Sequence, residues 1–300
     1  MSAIAEPERR IESATSRTAE WTCVSRAVSS LERDPHLRCD DYLARELLPG
    51  FMQLLLAVAP ARLLYKKLAP PGALPYVVAR TKYIDAVFRR ALEQRFFQVL
   101  IFGAGFDTRA LRFAGQLQST RIFELDVPAT QNAKIAQYRK RGLSVPPNLV
   151  FIPIDFDRES LRDKLEGSGF QVGERSLFLL EGVLMYLQPE SVDATFRVLT
   201  DYSGEGSRLA FDYAYSSVLR GNGDDYGAKE LQAQVSRAGE AWHFGLKAGE
   251  VTGFLARYGW KLVDEKDPGQ LERTYFTDDG GHLLARVSAA HCLVTAEKVR

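Results

Sequence analysis

Three hundred residues with 46% hydrophobic content suffice for a sizeable core, as one α/β unit with an extension or as two domains. Lys and Arg number 39 against 38 Asp and Glu, which leaves no electrostatic footprint for nucleic acid and favours a small-molecule or peptide substrate. Cys23, Cys39 and Cys292 are scattered and lack the paired spacing of a zinc site or a disulfide framework, so no metal and a reducing cytoplasm are expected.

The opening MSAIAEPERR has no apolar leader core, and the first dozen residues read as polar and loose. Thr18 to Ala91 predicts several helices, broken at Asp34-Pro35, Pro49-Gly50, Pro60 and Pro70-Pro71-Gly72. The most apolar stretch, Phe51 to Leu64, contains Pro60 and Arg62 and is too short to span a bilayer. It reads as a buried helix, with an amphipathic lid as the alternative. Residues 1–92 are therefore expected to form a helical extension, and 93–300 the main domain.

Seven short apolar runs follow: Val99–Phe102, Arg121–Leu125, Leu149–Ile154, Ser176–Leu180, Leu209–Phe211, Trp260–Val263 and His291–Ala296. Helical stretches separate them, an alternation that calls for a parallel sheet with crossover helices. Ser216 to Leu246 breaks the rhythm with Gly221-Asn222-Gly223-Asp224-Asp225 and a late Trp242-His243-Phe244-Gly245, and is read as an inserted lid, about residues 214–247.

The first run breaks at Gly103 and Gly105 and restarts at once as a helix, the form of a nucleotide-binding turn. Where a dinucleotide fingerprint has its third glycine, this chain has Thr108, which counts against a nicotinamide oxidoreductase. Asp107 at the helix start disfavours a phosphate and suits a cationic or zwitterionic ligand such as S-adenosylmethionine; a plain capping role is the alternative.

Each of the next strands ends in an acid. Asp126 lies about twenty positions after the glycines, where a ribose diol needs an acceptor, and is preferred to Glu124 because it is nearer the strand's carboxyl end. Asp155, with Phe156 beside it, suits an adenine amino group and ring, and Glu181 after an apolar run calls for a cationic partner such as an ammonium. Arg80, on the helix before the first strand, is placed to grip a carboxylate, although a solvated charge is the commoner role of an arginine.

Four segments, ARTKYID at 79–85, FGAGFDTR at 102–109, ELDVP at 124–128 and LEGVLMYL at 180–187, together resemble the leucine carboxyl methyltransferase family of class I S-adenosylmethionine-dependent methyltransferases. The resemblance implies a Rossmann-like, seven-stranded, mostly parallel α/β sheet with helices on both faces. It further implies that Arg80 binds the methionine carboxylate, Gly103 and Gly105 pass beneath the methionine, Asp126 holds the ribose, Asp155 and Phe156 meet the adenine, and Glu181 faces the amino group. Arg26 is the nearest match to a basic cofactor contact of the N-terminal helices, and Asp40-Asp41-Tyr42 stands where the family usually has Asp-Pro-Tyr. Asp107-Thr108-Arg109 and the Trp242 motif resemble the bacterial branch that acts on secondary metabolites.

The expected reaction is methylation of a small acid's carboxylate, which is ionised at neutral pH and needs no base. Transfer to a phenol or alcohol is the runner-up, and methylation of a protein C-terminus is also open. Tyr213 and Tyr215, straddling a strand end, and His243 are the candidate catalytic side chains. His243 packed between aromatic neighbours is the alternative reading. A non-catalytic binding module is disfavoured by the intact acidic array.

Overall fold

The computed structural model describes residues 15–221 and 225–299. The first dozen residues and Asn222-Gly223-Asp224 of the predicted turn lie outside the described residues.

The N-terminal extension comprises α1 (Arg17–Ser29), α2 (Gly50–Ala57), α3 (Ala59–Leu68) and the long α4 (Ala73–Glu93). Then come β1 (Gln98–Phe102), α5 (Arg109–Arg112), β2 (Arg121–Asp126), α6 (Pro128–Arg141), β3 (Leu149–Pro153), β4 (Ser176–Leu180) and α7 (Pro189–Tyr202). The last main elements are β5 (Arg208–Ala214), α8 (Ala228–Arg237), β6 (Trp260–Lys266) and β7 (His291–Lys298).

The seven strands form one sheet in the order β3-β2-β1-β4-β5-β7-β6. Pairings among β1 to β5 are parallel, and β7 runs antiparallel between β5 and β6. The chain steps outward from β1 to β3 and then returns to β4 on the other side of β1. That reversal splays the loops after β1 and β4 apart, which opens a crevice at the carboxyl ends of the strands.

Strand alternation sorts the core into two layers. Leu100, Phe102, Phe178 and Phe211 meet Val192, Phe196 and Leu199 of α7 on one face. Val99, Ile101, Leu177 and Ala210 meet Ile84 and Phe88 of α4 on the other. Each of the larger side chains stabilises the fold by about 1.5–3 kcal/mol on burial, and together they fix where α4 delivers Tyr76 and Arg80, at the crevice.

The apolar stretch from Phe51 to Leu64 is not the buried helix expected of it. It forms parts of α2 and α3, which meet at Val58 with Pro60 in the first turn of α3. Only Leu56 of the pair is buried, while Phe51, Leu54, Leu63 and Leu64 are exposed. Among the described residues no helix is long and apolar enough to cross a membrane.

Candidate active site

A cavity of about 650 Å³ fills the crevice. Its floor is the turn after β1, where Gly103 has φ +55° and a Cβ there would lie 2.5 Å from Val183 Cγ2. The turn is tied to β2: Ala104 N donates to Leu125 O at 3.0 Å, and Gly105 N donates to Asp126 Oδ2. Asp126 Oδ1 accepts from Val127 N at 2.7 Å. Burial pushes this carboxyl up to about 6, against the pull of those two amides.

Glu124, one pleat earlier, is fully buried and does not line the cavity. Its Oε2 pairs with Lys134 Nζ of α6 at 2.6 Å, and burial lifts its carboxyl to about 7.

Beside the turn runs one continuous ion-pair network. Arg26 pairs with Asp41 at 2.8 Å, Asp41 with Arg112 at 3.4 Å, and Arg112 with Asp85 at 2.6 Å. Asp85 meets Arg109 at 2.7 Å, and Arg109 in turn meets Asp107 and, at 2.8 Å, Glu181. Arg80 closes the chain, with Nε 3.0 Å from Glu181 Oε1 and Nη1 2.9 Å from Asp212 Oδ2. Tyr76 OH also donates to Asp212, at 2.5 Å. Four arginines thus stand among five carboxylates, all buried or nearly so.

Asp107 stands between the turn into α5 and the cavity. Its Oδ1 accepts from Arg109 N at 2.6 Å, holding the start of α5, and its side chain also lines the cavity. Burial would raise its carboxyl, but Arg109 and then Lys134 draw it below the usual range.

Of the residues singled out from the sequence, Arg26, Arg80, Gly103, Gly105, Asp126, Phe156, Glu181 and His243 line this one cavity. Arg26 is spent on neighbours, its Nη2 donating to Phe106 O at 2.7 Å. His243 is exposed at the rim and is not packed between aromatic rings; its backbone N donates to Met185 O at 2.7 Å.

Three expected positions need correction. Asp155 is not on the cavity wall: its Oδ1 accepts from Asp157 N at 3.0 Å and holds the loop, which leaves Phe156 as that segment's contribution. Tyr213 and Tyr215 also lie off the cavity. Tyr213 belongs to the α7 side of the sheet, its OH donating to Glu265 at 2.8 Å, and Tyr215 OH meets Cys292 Sγ at 2.9 Å. The residue of β5 that turns to α4 is Asp212, between Phe211 and Tyr213, which accepts from Tyr76 and Arg80. An aspartate inside the apolar run Leu209–Ala214 was the available signal for it.

His291, at the start of β7, was also missed. It is 3% exposed, lines the cavity, and stacks on Tyr76 with ring centroids 4.6 Å apart, with Trp242 edge-on at 4.8 Å. Burial lowers its pKa to about 4, so it is neutral at pH 7, and its Nδ1 has no hydrogen-bond partner among the described residues.

The cavity is covered by α1 and by the segment after α8, and one side chain joins them. Glu240 accepts from Ser16 Oγ at 3.0 Å, Arg17 N at 2.7 Å and Thr18 N at 3.2 Å, the free amides at the start of α1.

A reversing, mostly parallel seven-stranded sheet with a glycine turn at its switch point defines a class I methyltransferase-like fold. A solved structure of a methyltransferase-like protein from Thermobifida fusca superposes with a TM-score of 0.59 over 100% of both chains, at 15% identity, which supports the fold alone. The sequence profile for leucine carboxyl methyltransferase matches residues 19–200, and the chain belongs to that family. It is 27% identical over 211 residues to a Bacillus subtilis protein named "Putative S-adenosyl-L-methionine-dependent methyltransferase YktD", covering 70% of this chain and 69% of that one. A Mycolicibacterium smegmatis protein of the same description is 29% identical over 273 residues, 86% of each chain.

Proposed function

We propose that this protein transfers a methyl group from S-adenosylmethionine to a carboxylate oxygen of a small-molecule acid, giving a methyl ester. The strand-end acids Asp126 and Glu181, which line one cavity with Arg80 and the glycine turn, carry the cofactor part of the reading. At neutral pH S-adenosylmethionine bears a sulfonium, an ammonium and one carboxylate, for which Glu181 and Arg80 are fitting partners. The family description, a carboxyl methyltransferase, favours the same acceptor.

On this reading Gly103 and Gly105 leave room for the methionine, Arg80 takes its carboxylate and Glu181 its ammonium. Asp126 accepts from the ribose hydroxyls and Phe156 lies against the adenine. When bound, the cofactor supplies a methyl group already activated by the sulfonium. The protein's part is to hold the acceptor about 3 Å away in line and to exclude water. Arg17 and Arg237, exposed residues lining the cavity, are placed to steer an anionic acceptor inward. On this reading α1 and the segment after α8 act as its cover, with Glu240 joining the two.

Release of methanol from the product in mild alkali marks an ester, whereas an alkali-stable product would overturn the carboxyl reading. One observation favours transfer to a hydroxyl instead: His291 lines the cavity, and its Nδ1, without a hydrogen-bond partner among the described residues, is available to accept a hydrogen bond from an acceptor hydroxyl. That reading requires an alkali-stable ether and an activity lost in His291→Asn with the cofactor affinity retained.

A further inference from the structure

Helix α2 is apolar on both faces, and α3 adds three outward leucines beside its cations. Their inner face, Met52, Leu56 and Tyr65, packs on the N-terminal core cluster, and Tyr65 OH lies 3.0 Å from Ser25 Oγ. Their outer face carries Phe51, Leu54 and Leu55 from α2 and Leu63, Leu64 and Leu68 from α3, each 54–75% exposed. A helix apolar all round is normally buried, and an apolar patch of this size on a surface marks an interaction site.

The charges beside the patch say what covers it. Residues 50–68 contain Arg62, Lys66 and Lys67 and no acid. Arg141 Nη2 reaches Leu48 O at 3.4 Å, which brings the last turn of α6, Arg139-Lys140-Arg141, to the start of α2. Arg139, Lys140 and Lys67 are exposed; Lys66 pairs with Glu32. The whole chain carries a formal charge of only +1, so this concentration of cations is local.

We propose that the α2–α3 face docks on an anionic lipid surface. Short apolar helices rimmed by Lys and Arg bind in the plane of a membrane by burying leucine and phenylalanine among the acyl chains while the cations meet the headgroups. A second copy fits less well, because a two-fold contact centred on this face sets its cations against themselves with no acid from either segment. The proposal is independent of the methyl-transfer reading.

Flotation of the full chain with phosphatidylcholine vesicles, with and without phosphatidylglycerol, tests it. Binding is expected on the anionic vesicles, on the order of tenfold weaker on phosphatidylcholine alone, and reduced by salt. The double variant Leu54→Glu, Leu63→Glu should lose binding on the order of tenfold while its melting temperature is unchanged. Should that variant fail to fold, Lys67→Glu with Lys140→Glu is expected to cut vesicle binding as well. Equal failure to bind either vesicle overturns the proposal. A concentration-dependent dimer in sedimentation velocity, abolished by the leucine variant, overturns it in favour of a second copy.

Discussion

Arg80 on α4 and Glu181 directly after β4 meet Nε to Oε1 at 3.0 Å, and Glu181 is shared with Arg109 at 2.8 Å through its other oxygen. Arg80 is buried and Glu181 nearly so, with side chains 8% and 11% exposed. Glu181 thus already has two cations and needs none for burial alone; a ligand ammonium would be a third partner. Glu181→Ala is expected to weaken cofactor binding by more than about 1 kcal/mol and to destabilise the fold by about 1–3 kcal/mol. Arg80 keeps Asp212 and Arg109 keeps Asp85, which limits the damage. Calorimetric titration of S-adenosylhomocysteine into a variant shown to be folded measures the first term, and unchanged affinity removes Glu181 from the site.

With Asp126 as the proposed ribose partner, cofactor binding is expected to depend on pH. Ribose hydroxyls donate to an ionised carboxylate, so binding lowers a pKa that burial has pushed up to about 6. Affinity should therefore rise with pH through about 6 and fall by up to about tenfold per unit below it, with proton release on binding. Stability of the unliganded fold moves the other way: the contribution of this carboxyl is complete below its ordinary value of 3.8 and is lost as pH rises through 6. Titrations in buffers of different ionisation enthalpy would detect the proton. Asp126→Asn should bind more weakly and without that pH step, and a step of the same size in the variant assigns it elsewhere.

The glycine turn is constrained by conformation and by contact at once. Gly103→Ala places a side chain at φ +55° and a Cβ 2.5 Å from Val183 Cγ2. The conformation alone costs about 1–3 kcal/mol. Adding Val183→Ala should recover the steric part and leave the conformational part, so thermal denaturation of the two single variants and the double is expected to show positive coupling. Strict additivity would mean that Val183 moves aside freely.

The sheet was readable because its strands are buried on both faces, which makes short apolar runs such as Ser176–Leu180 stand out between helices. The same double burial hid the orientation of β5. With Phe211 and Tyr213 apolar or aromatic on one side and Ala210 on the other, the pattern gives no inward face, and packing against α4 decides that Asp212 enters the site. Gly103, Asp126 and Glu181 announced themselves as strand-end residues. Asp85, Arg109 and Arg112 did not, because charged residues on helices usually mean a solvated face, and only the fold stacks these into one network. The outer face of α2 and α3 shows the converse: apolar composition marked helices without saying that one face stays uncovered.

Glu240 and the start of α1 form the seam of the cover. Its carboxylate takes two backbone amides and a hydroxyl, and as an anion at a helix N-terminus it contributes roughly 0.3–1 kcal/mol beyond those hydrogen bonds. Glu240→Ala is expected to leave the sheet core intact and the melting temperature nearly unchanged, because neither partner belongs to the main core layers. What should change is access. Cleavage within residues 226–243 by limited proteolysis should accelerate, and KM for the acceptor should rise several-fold with a smaller change in kcat, since an open cover weakens capture more than alignment. Glu240→Gln keeps an acceptor for the amides and should fall between. A kcat loss with KM unchanged would instead place Glu240 among the groups that align the acceptor.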